Sequence, residues 1–395
     1  TLLASIAAGA AIVASPAAAK TITVNAGAEA QERLQGALLD AKPGDVVRLG
    51  PGRFDLTDGL SLDVDRVTVR GAGAAKTVLG FKGQLGSGEG LLVTSDDVVL
   101  RDFAVEDTKG DGIKSKGADR IVYKNIAVRW TGGPKASNGA YGIYPVSSRW
   151  VLVDGCTVEG ASDAGIYVGQ SEDIVVRRSI VRFNVAGIEI ENSRRADVHN
   201  NIATRNTGGI LVFDLPDLPK MNGGEVRVFA NDVRANDTPN FAPPGNIVAS
   251  VRMGTGVLVM ANDKVEVFGN TLSDNATSNV MILSYRFDQK DANYDPLPRQ
   301  VVVRGNKHGR AGYAPQLPGG DQLAAAFGGA IPPVLWDGTG QDLGLVVTDA
   351  PVLSLNLAAG AAPETAKPAP ADLKGTPGPA MAAVKLPASM ERAAR

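Results

Sequence analysis

The chain is poor in several residue types that build common functional sites. One cysteine, Cys156, in 395 residues allows neither an intramolecular disulfide framework nor a cysteine-rich zinc site. Two histidines, His199 and His308, are too few for a centre built on three imidazoles, and no metal or cofactor is expected. Aromatic residues make up only 5% of the chain, and a net charge of −2 leaves no basic footprint for nucleic acid. After the first 19 residues no apolar stretch reaches membrane-spanning length. With 44% hydrophobic and 21% charged residues the chain can bury a core, which excludes wholesale disorder. What it has in excess is glycine, 47 residues, well above the roughly 7% of ordinary proteins. The glycines follow no three-residue period, so they do not mark a collagen helix.

The two ends differ from the middle. Residues 1–19, TLLASIAAGAAIVASPAAA, read as the apolar region and small-residue cleavage zone of a secretory signal whose basic start is missing, so export to a periplasm or beyond is expected. Residues 356–395 are mostly alanine, proline and small polar residues. They show no strand alternation and many prolines, and are expected to form a mobile tail that no sheet accepts.

The middle repeats. A glycine followed by aliphatic alternation recurs as GLSLD at Gly59, GLLVT at Gly90, GIKSK at Gly112 and GIYPV at Gly142. It continues as GIYVG at Gly165, GIEIE at Gly187, GILVF at Gly209 and GVLVM at Gly256, with NVMIL at Asn279 in the same phase. The spacings are 31, 22, 30, 23, 22, 22, 47 and 23, a period near 22 with insertions. A second strand follows in each repeat, as DRVTV at Asp65, DRIVY at Asp119, EDIVV at Glu172 and DKVEV at Asp263. A third element recurs as NIATRN at Asn201, NDVRAN at Asn231 and NTLSDN at Asn270.

Three short alternating strands per coil of about 22 residues predict an all-β fold, a right-handed parallel β-helix in which each coil stacks on the last. The asparagines are expected to form corner ladders, and the glycines to turn the chain between strands. Residues 29–40 carry helix formers with Leu34 and Leu38 at i, i+4, a short amphipathic helix placed to plug the open end of the core. The solenoid with its cap is expected over 20–310, a C-terminal capping segment anchored by Trp336 over 311–355, and the tail over 356–395.

This helix, the segment KPGDVVRLGPGRF at Lys42–Phe54 and the repeats resemble the pectin-lyase-like superfamily of right-handed parallel β-helix proteins. The resemblance covers roughly 21–306 and implies the fold. It extends to periplasmic relatives of the NosD type and to mannuronan epimerases in the repeats only. The polygalacturonase set of Asn-Thr-Asp, Asp-Asp, Gly-His-Gly and Arg-Ile-Lys is missing, and so is the epimerase Asp-Pro-His-Asp, because Asp295-Pro296 is followed by Leu297.

Strand alternation places two side chains per coil on the outside of the first strand. One column reads Ser61, Leu92, Lys114, Tyr144, Tyr167, Glu189, Leu211, Leu258, Met281, and the other Asp63, Thr94, Lys116, Val146, Gly169, Glu191, Phe213, Met260, Leu283. With coils about 4.8 Å apart, Lys114 to Glu189 spans on the order of 14 Å, enough for two or three sugar rings. Lys114 and Lys116 are placed to pair with sugar carboxylates, Tyr144 and Tyr167 to stack on pyranose faces, and Asp111 and Asp163 to border the cleft. Glu189, Glu191, Tyr167 and Lys114 are the candidate catalytic groups. The two glutamates stand about 6.5–7 Å apart along one strand, in the range of paired carboxyls in inverting glycosidases.

The expected partner is an acidic polysaccharide, bound or modified by hydrolysis, elimination or epimerisation. The alternative is a non-catalytic periplasmic scaffold or maturation protein acting through the apolar continuation of the face, Leu211, Phe213, Leu258, Met260, Met281 and Leu283. A third reading is that the charges and rings merely stabilise a solvated sheet. The proline-rich insertions 214–224, 237–254 and 285–299 are expected to fold over the apolar patch. His199 is expected on the outside of the second strand, beside Arg177.

Overall fold

A computed structural model describes residues 19–395. The expected export segment, apart from Ala19, lies outside the described residues. Among these, no helix is long and apolar enough to cross a membrane.

The chain winds through three sheets in turn. Sheet 1 holds the strands that follow the repeat glycines, from Leu60–Leu62 onward. Sheet 2 holds the second strands and begins with Thr21–Val24, and sheet 3 holds the third elements, from Gly52–Asp55 to Lys307–His308. They contain 12, 12 and 10 strands, parallel throughout except for one closing strand. The register stacks like on like. Ile113, Ile143, Ile166, Ile188, Ile210, Val257 and Val280 form one buried column inside sheet 1. A stack of aliphatics at the inter-strand spacing fills the core without voids, which explains the tolerance for Ile/Val exchange along it.

Helix α1 (Ala30–Asp40) closes the first end, burying Ala30, Leu34, Ala37 and Leu38. It also satisfies the exposed edge of sheet 1: the Gln35 amide donates to Ser61 O (3.0 Å) and accepts from Ser61 N–H (2.9 Å), as a neighbouring strand would.

The expected ladders are present at the corners between sheets. Asn201, Asn231, Asn270 and Asn306 pass a side-chain hydrogen bond from coil to coil at 2.9–3.0 Å. A second ladder runs Asn184, Asn206, Asn236, Asn275, and ends on Asn279, the residue that stands where other coils have glycine. Ser148, Ser171 and Ser193 form a shorter one at the third corner.

The repeat glycines serve a different purpose from the one expected. They do not adopt positive φ; the left-handed corner positions are held by other glycines, Gly155, Gly269 and Gly305, and by residues such as Asn125, Arg178, Asn192 and Asn200. Gly142 is needed because a β-carbon there would run into Val158 and the carbonyl of Gly165 on the next coil. At the repeat positions close approach of coils, rather than backbone freedom, selects glycine.

Two further expectations are corrected. The stack does not end near residue 310: Val334–Trp336 and Val352–Ser354 continue sheet 1, and Val346–Val347 continues sheet 2. Trp336 is packed against the core there, as expected of an anchor. The tail, in turn, is accepted by a sheet. Ala369–Ala371 pairs antiparallel with Val352–Ser354 and closes sheet 1. The chain then runs back across the outside of sheet 2, where Val384 N–H donates to Asp197 and Glu391 takes a two-pronged bond from Arg177 at 2.7 and 3.1 Å. Helix α2 (Ala388–Ala393) presses Met390 onto Val122, Leu152 and Val175. Alternation is absent from the tail because it is anchored by single side chains rather than by a strand face.

Candidate functional site

The outer face of sheet 1 carries the predicted columns in the predicted register. Lys114 pairs with Tyr144, Tyr167 with Glu189, Glu189 with Leu211 and Leu211 with Leu258 across adjacent strands. In the second column Val146, Gly169, Glu191 and Phe213 follow one another.

Three tyrosines form the centre of the site. The rings of Tyr144 and Tyr167 meet edge-on at 4.8 Å between centroids, and Tyr141 leans on both, at 4.5 and 4.6 Å. Such tilted contacts are the favoured geometry of aromatic quadrupoles. Tyr141 and Tyr144 remain partly exposed, whereas Tyr167 is buried. Tyr167 fits because its ring folds over Gly169, where any β-carbon would collide with it.

Carboxyl groups surround the rings. Glu189 is 1% exposed and its Oε1 has no hydrogen-bond partner; Asp163, 5% exposed, likewise leaves Oδ1 unpartnered. Burial raises the Glu189 carboxyl well above its ordinary range, and the neighbouring Asp163 and Glu191 carboxyls raise it further. Burial also raises Asp163 to about 7, partly offset by the Tyr141 hydroxyl beside it. Glu191 is raised to about 7, again chiefly by burial, with the Tyr167 hydroxyl in opposition. Asp111 is lifted to about 6 by burial, against the pull of Lys114. The site therefore holds one carboxyl, Glu189, whose protonated form is strongly favoured and several that titrate near neutrality.

The phenols behave oppositely to what base catalysis needs. Burial first, and nearby carboxyls second, push Tyr167 and Tyr141 far upward, and raise Tyr144 to about 12. All three stay protonated and serve as donors.

The lysines separate. Lys114 Nζ lies 3.0 Å from Glu89 and 3.8 Å from Asp111, and 4.8 Å over the Tyr144 ring. It joins the site as a paired cation rather than a free one. Lys116 projects into solvent past the end of the cluster. Lys114 is thus held by carboxylates within the site, whereas Lys116 stands outside it. Tyr167, Glu189 and Glu191 lie beneath the surface, and Tyr141, Tyr144 and Asp111 are the partly exposed members of the site. Among the described residues no group of three His, Cys, Asp or Glu side chains is placed to hold a metal ion.

Sequence reasoning missed three members. Glu89 and Tyr141 stand immediately before Gly90 and Gly142, the same place that Asp111 takes before Gly112. That shared position is the signal that would have found them. Asp214, directly after Phe213, is fully buried, is raised to about 7 by burial, and accepts a 2.9 Å bond from Asn262.

Further along, the apolar columns are covered rather than exposed. Leu211, Phe213, Leu258 and Met281 are buried in a second apolar cluster with Leu335 and Leu353. Leu215 and Val251 from the insertions pack onto it, as do Leu317, Leu323 and Phe327. The patch on which a scaffold interface was expected is therefore occupied by the chain itself. His199 lies beside Arg177 as expected, stacked on Phe229 at 4.8 Å and remote from the tyrosines. Cys156 is buried inside a corner, its thiol pushed up to about 12 by burial, and is inert.

Comparison with known proteins agrees with this architecture. The family described as the right handed beta helix region matches residues 62–217. No curated relative matches the sequence. Among solved structures, the chain is similar to the A-module of the Azotobacter vinelandii mannuronan C-5 epimerase AlgE4, with a TM-score of 0.56, 14% identity, and coverage of 85% of this chain and 93% of that one. The A-module of the AlgE6 epimerase from the same organism gives a TM-score of 0.51 at 14% identity, covering 82% and 90%. The catalytic unit of a GH87 alpha-1,3-glucanase from Streptomyces thermodiastaticus gives 0.50 at 16% identity, over 84% of this chain and 53% of that one. At such identities the likeness concerns the fold alone: the chain is a right-handed parallel β-helix.

Proposed function

We propose that the protein binds an acidic polysaccharide on the outer face of sheet 1, between Lys114 and Glu191, and carries there the groups for proton transfer at a uronate residue. The observation that supports this best is Glu189, a buried carboxyl whose protonated form burial favours, with one oxygen unpartnered among the described residues, set beside the tyrosines and two carboxyls that titrate near 7. A neutral carboxylic acid in such a place donates a hydrogen bond that an ionised one cannot. Toward a uronate it neutralises the sugar carboxylate and so acidifies the adjacent C–H. Asp163 or Glu191, partly ionised at neutral pH, is the base that takes the proton from that carbon, and Tyr167 protonates the glycosidic oxygen that leaves in an elimination. Tyr141 and Tyr144, at the entrance, stack on sugar rings. Lys114 exchanges Glu89 for a sugar carboxylate.

The similarity in fold to two mannuronan epimerase modules and a glucanase supports a carbohydrate ligand. Export, argued from the alanine-rich apolar start, places the protein where such polymers occur. A glycan array of polyuronates, probed with the wild type and with Tyr144→Ala and Glu189→Ala, tests the reading. Binding to at least one polyuronate, lost in both variants, is expected. No binding, or binding indifferent to both substitutions, contradicts it.

A further inference from the structure

Past the acidic cluster, the same face of sheet 1 borders an apolar cavity of about 200 Å³ that is partly open to solvent. Leu258, Met281 and Leu335 line it from successive strands, Leu357 from the continuation of the next strand, and Val251 and Leu323 from the segments that pack onto this face. An apolar cleft of this kind accepts apolar guests, because covering its lining removes hydrocarbon surface from water. The volume is below that of pockets for drug-sized molecules and suits a single narrow chain.

The charged groups of the wall identify what the other end of the guest carries. Asp337 is fully engaged: it accepts from Ser284 N–H (2.7 Å), Ser284 Oγ (2.5 Å) and Thr339 N–H (2.9 Å). Arg286 is not. Its Nη1 donates to Thr339 Oγ1 at 3.1 Å, while Nη2 is buried and has no partner among the described residues. Arg252 lines the same cavity from an exposed position. A guanidinium with a buried, unused donor next to hydrocarbon is an incomplete pair, costly unless an anion completes it. The planar fork matches a carboxylate.

We propose that this cavity binds a fatty carboxylate, its hydrocarbon chain between sheet 1 and the overlying segments and its headgroup on Arg286. The site shares none of its residues with the tyrosine–carboxyl cluster, and stands whether or not that cluster binds polysaccharide.

Calorimetric titration of the full chain with laurate and with 1-dodecanol, both below their aggregation limits, tests it. Laurate binds saturably at one site, and Arg286→Gln weakens it at least about tenfold while leaving dodecanol unchanged. Leu258→Trp, which fills the cavity, removes both, and a melting curve reports whether each variant is folded. The proposal is overturned if laurate does not bind saturably, if Arg286→Gln binds it as tightly as the wild type, or if a folded Leu258→Trp still takes it up. Should Arg286→Gln fail to fold, the Leu258→Trp result and the preference for laurate over dodecanol decide.

Discussion

The ring of Tyr167 lies folded over Gly169, two residues along the same strand, in the space that a side chain at Gly169 would take. This contact seats the buried phenol against Glu191. Gly169→Ala is expected to displace the ring, at a cost of about 1–3 kcal/mol typical of overpacking. Because the clash is local, the fold is retained while the cluster opens. Near-UV circular dichroism should lose tyrosine signal with the melting transition still cooperative. An unchanged near-UV spectrum counts against the packing described.

The raised carboxyls make stability depend on pH in a specific direction. Asp163, Glu191 and Asp214 hold their protons to about 7 in the folded chain, and Glu189 holds its proton well above its ordinary range. Unfolded, they lose them near 4. Between these limits the folded state binds more protons, so stability falls as pH rises. The benefit is complete below about 4 and is lost as pH passes through about 7. Oppositely, Asp154 and Asp173, whose burial is outweighed by arginine partners, are held low and stabilise only above about 4. The melting temperature should therefore peak in mildly acidic solution and drop by several degrees toward pH 8. Glu189→Gln should flatten that drop. A melting temperature that climbs steadily to pH 8 contradicts the assignment.

The asparagine ladder is expected to be a stability element. Asn231 accepts from Asn201 and donates to Asn270, both at 3.0 Å. Asn231→Ala leaves buried groups unpaired on both sides, costing roughly 2–5 kcal/mol in chemical denaturation at about 1–3 kcal/mol per orphaned group. A change under about 1 kcal/mol would mean that water replaces the missing amide.

The tail should behave as a strap. Met390 covers Val122, Leu152 and Val175, and Glu391 holds Arg177, which also pairs with Asp154. Met390→Asp places a charge on that apolar surface and should release the tail to limited proteolysis while the coils survive. Equal cleavage rates in wild type and variant would show that the tail is not docked.

How far the sequence could be read depends on what repeats. The coils, the registers and both asparagine ladders were legible because every coil meets the same packing problem at the same phase, as Ile143, Ile166 and Ile188 do. The site columns followed from alternation alone. Burial did not, because residues that pack onto the face beside Leu258, such as Leu215 and Val251, come from insertions that have no period. Tyr141 was passed over because the columns were counted from the repeat glycines onward, and it stands one residue before Gly142. The tail escaped because its hold on sheet 2 rests on a few residues, Met390 and Glu391 among them, within a stretch of alanine and proline.

The central claim is that a polysaccharide lies on the tyrosine–carboxyl face of sheet 1, and the most direct measurement is a crystal structure with a bound oligouronate. The account predicts sugar rings stacked on Tyr141 and Tyr144, with a carboxylate within hydrogen-bond reach of Glu189 Oε1. An oligosaccharide bound on another face, or none bound at millimolar concentration, would contradict it.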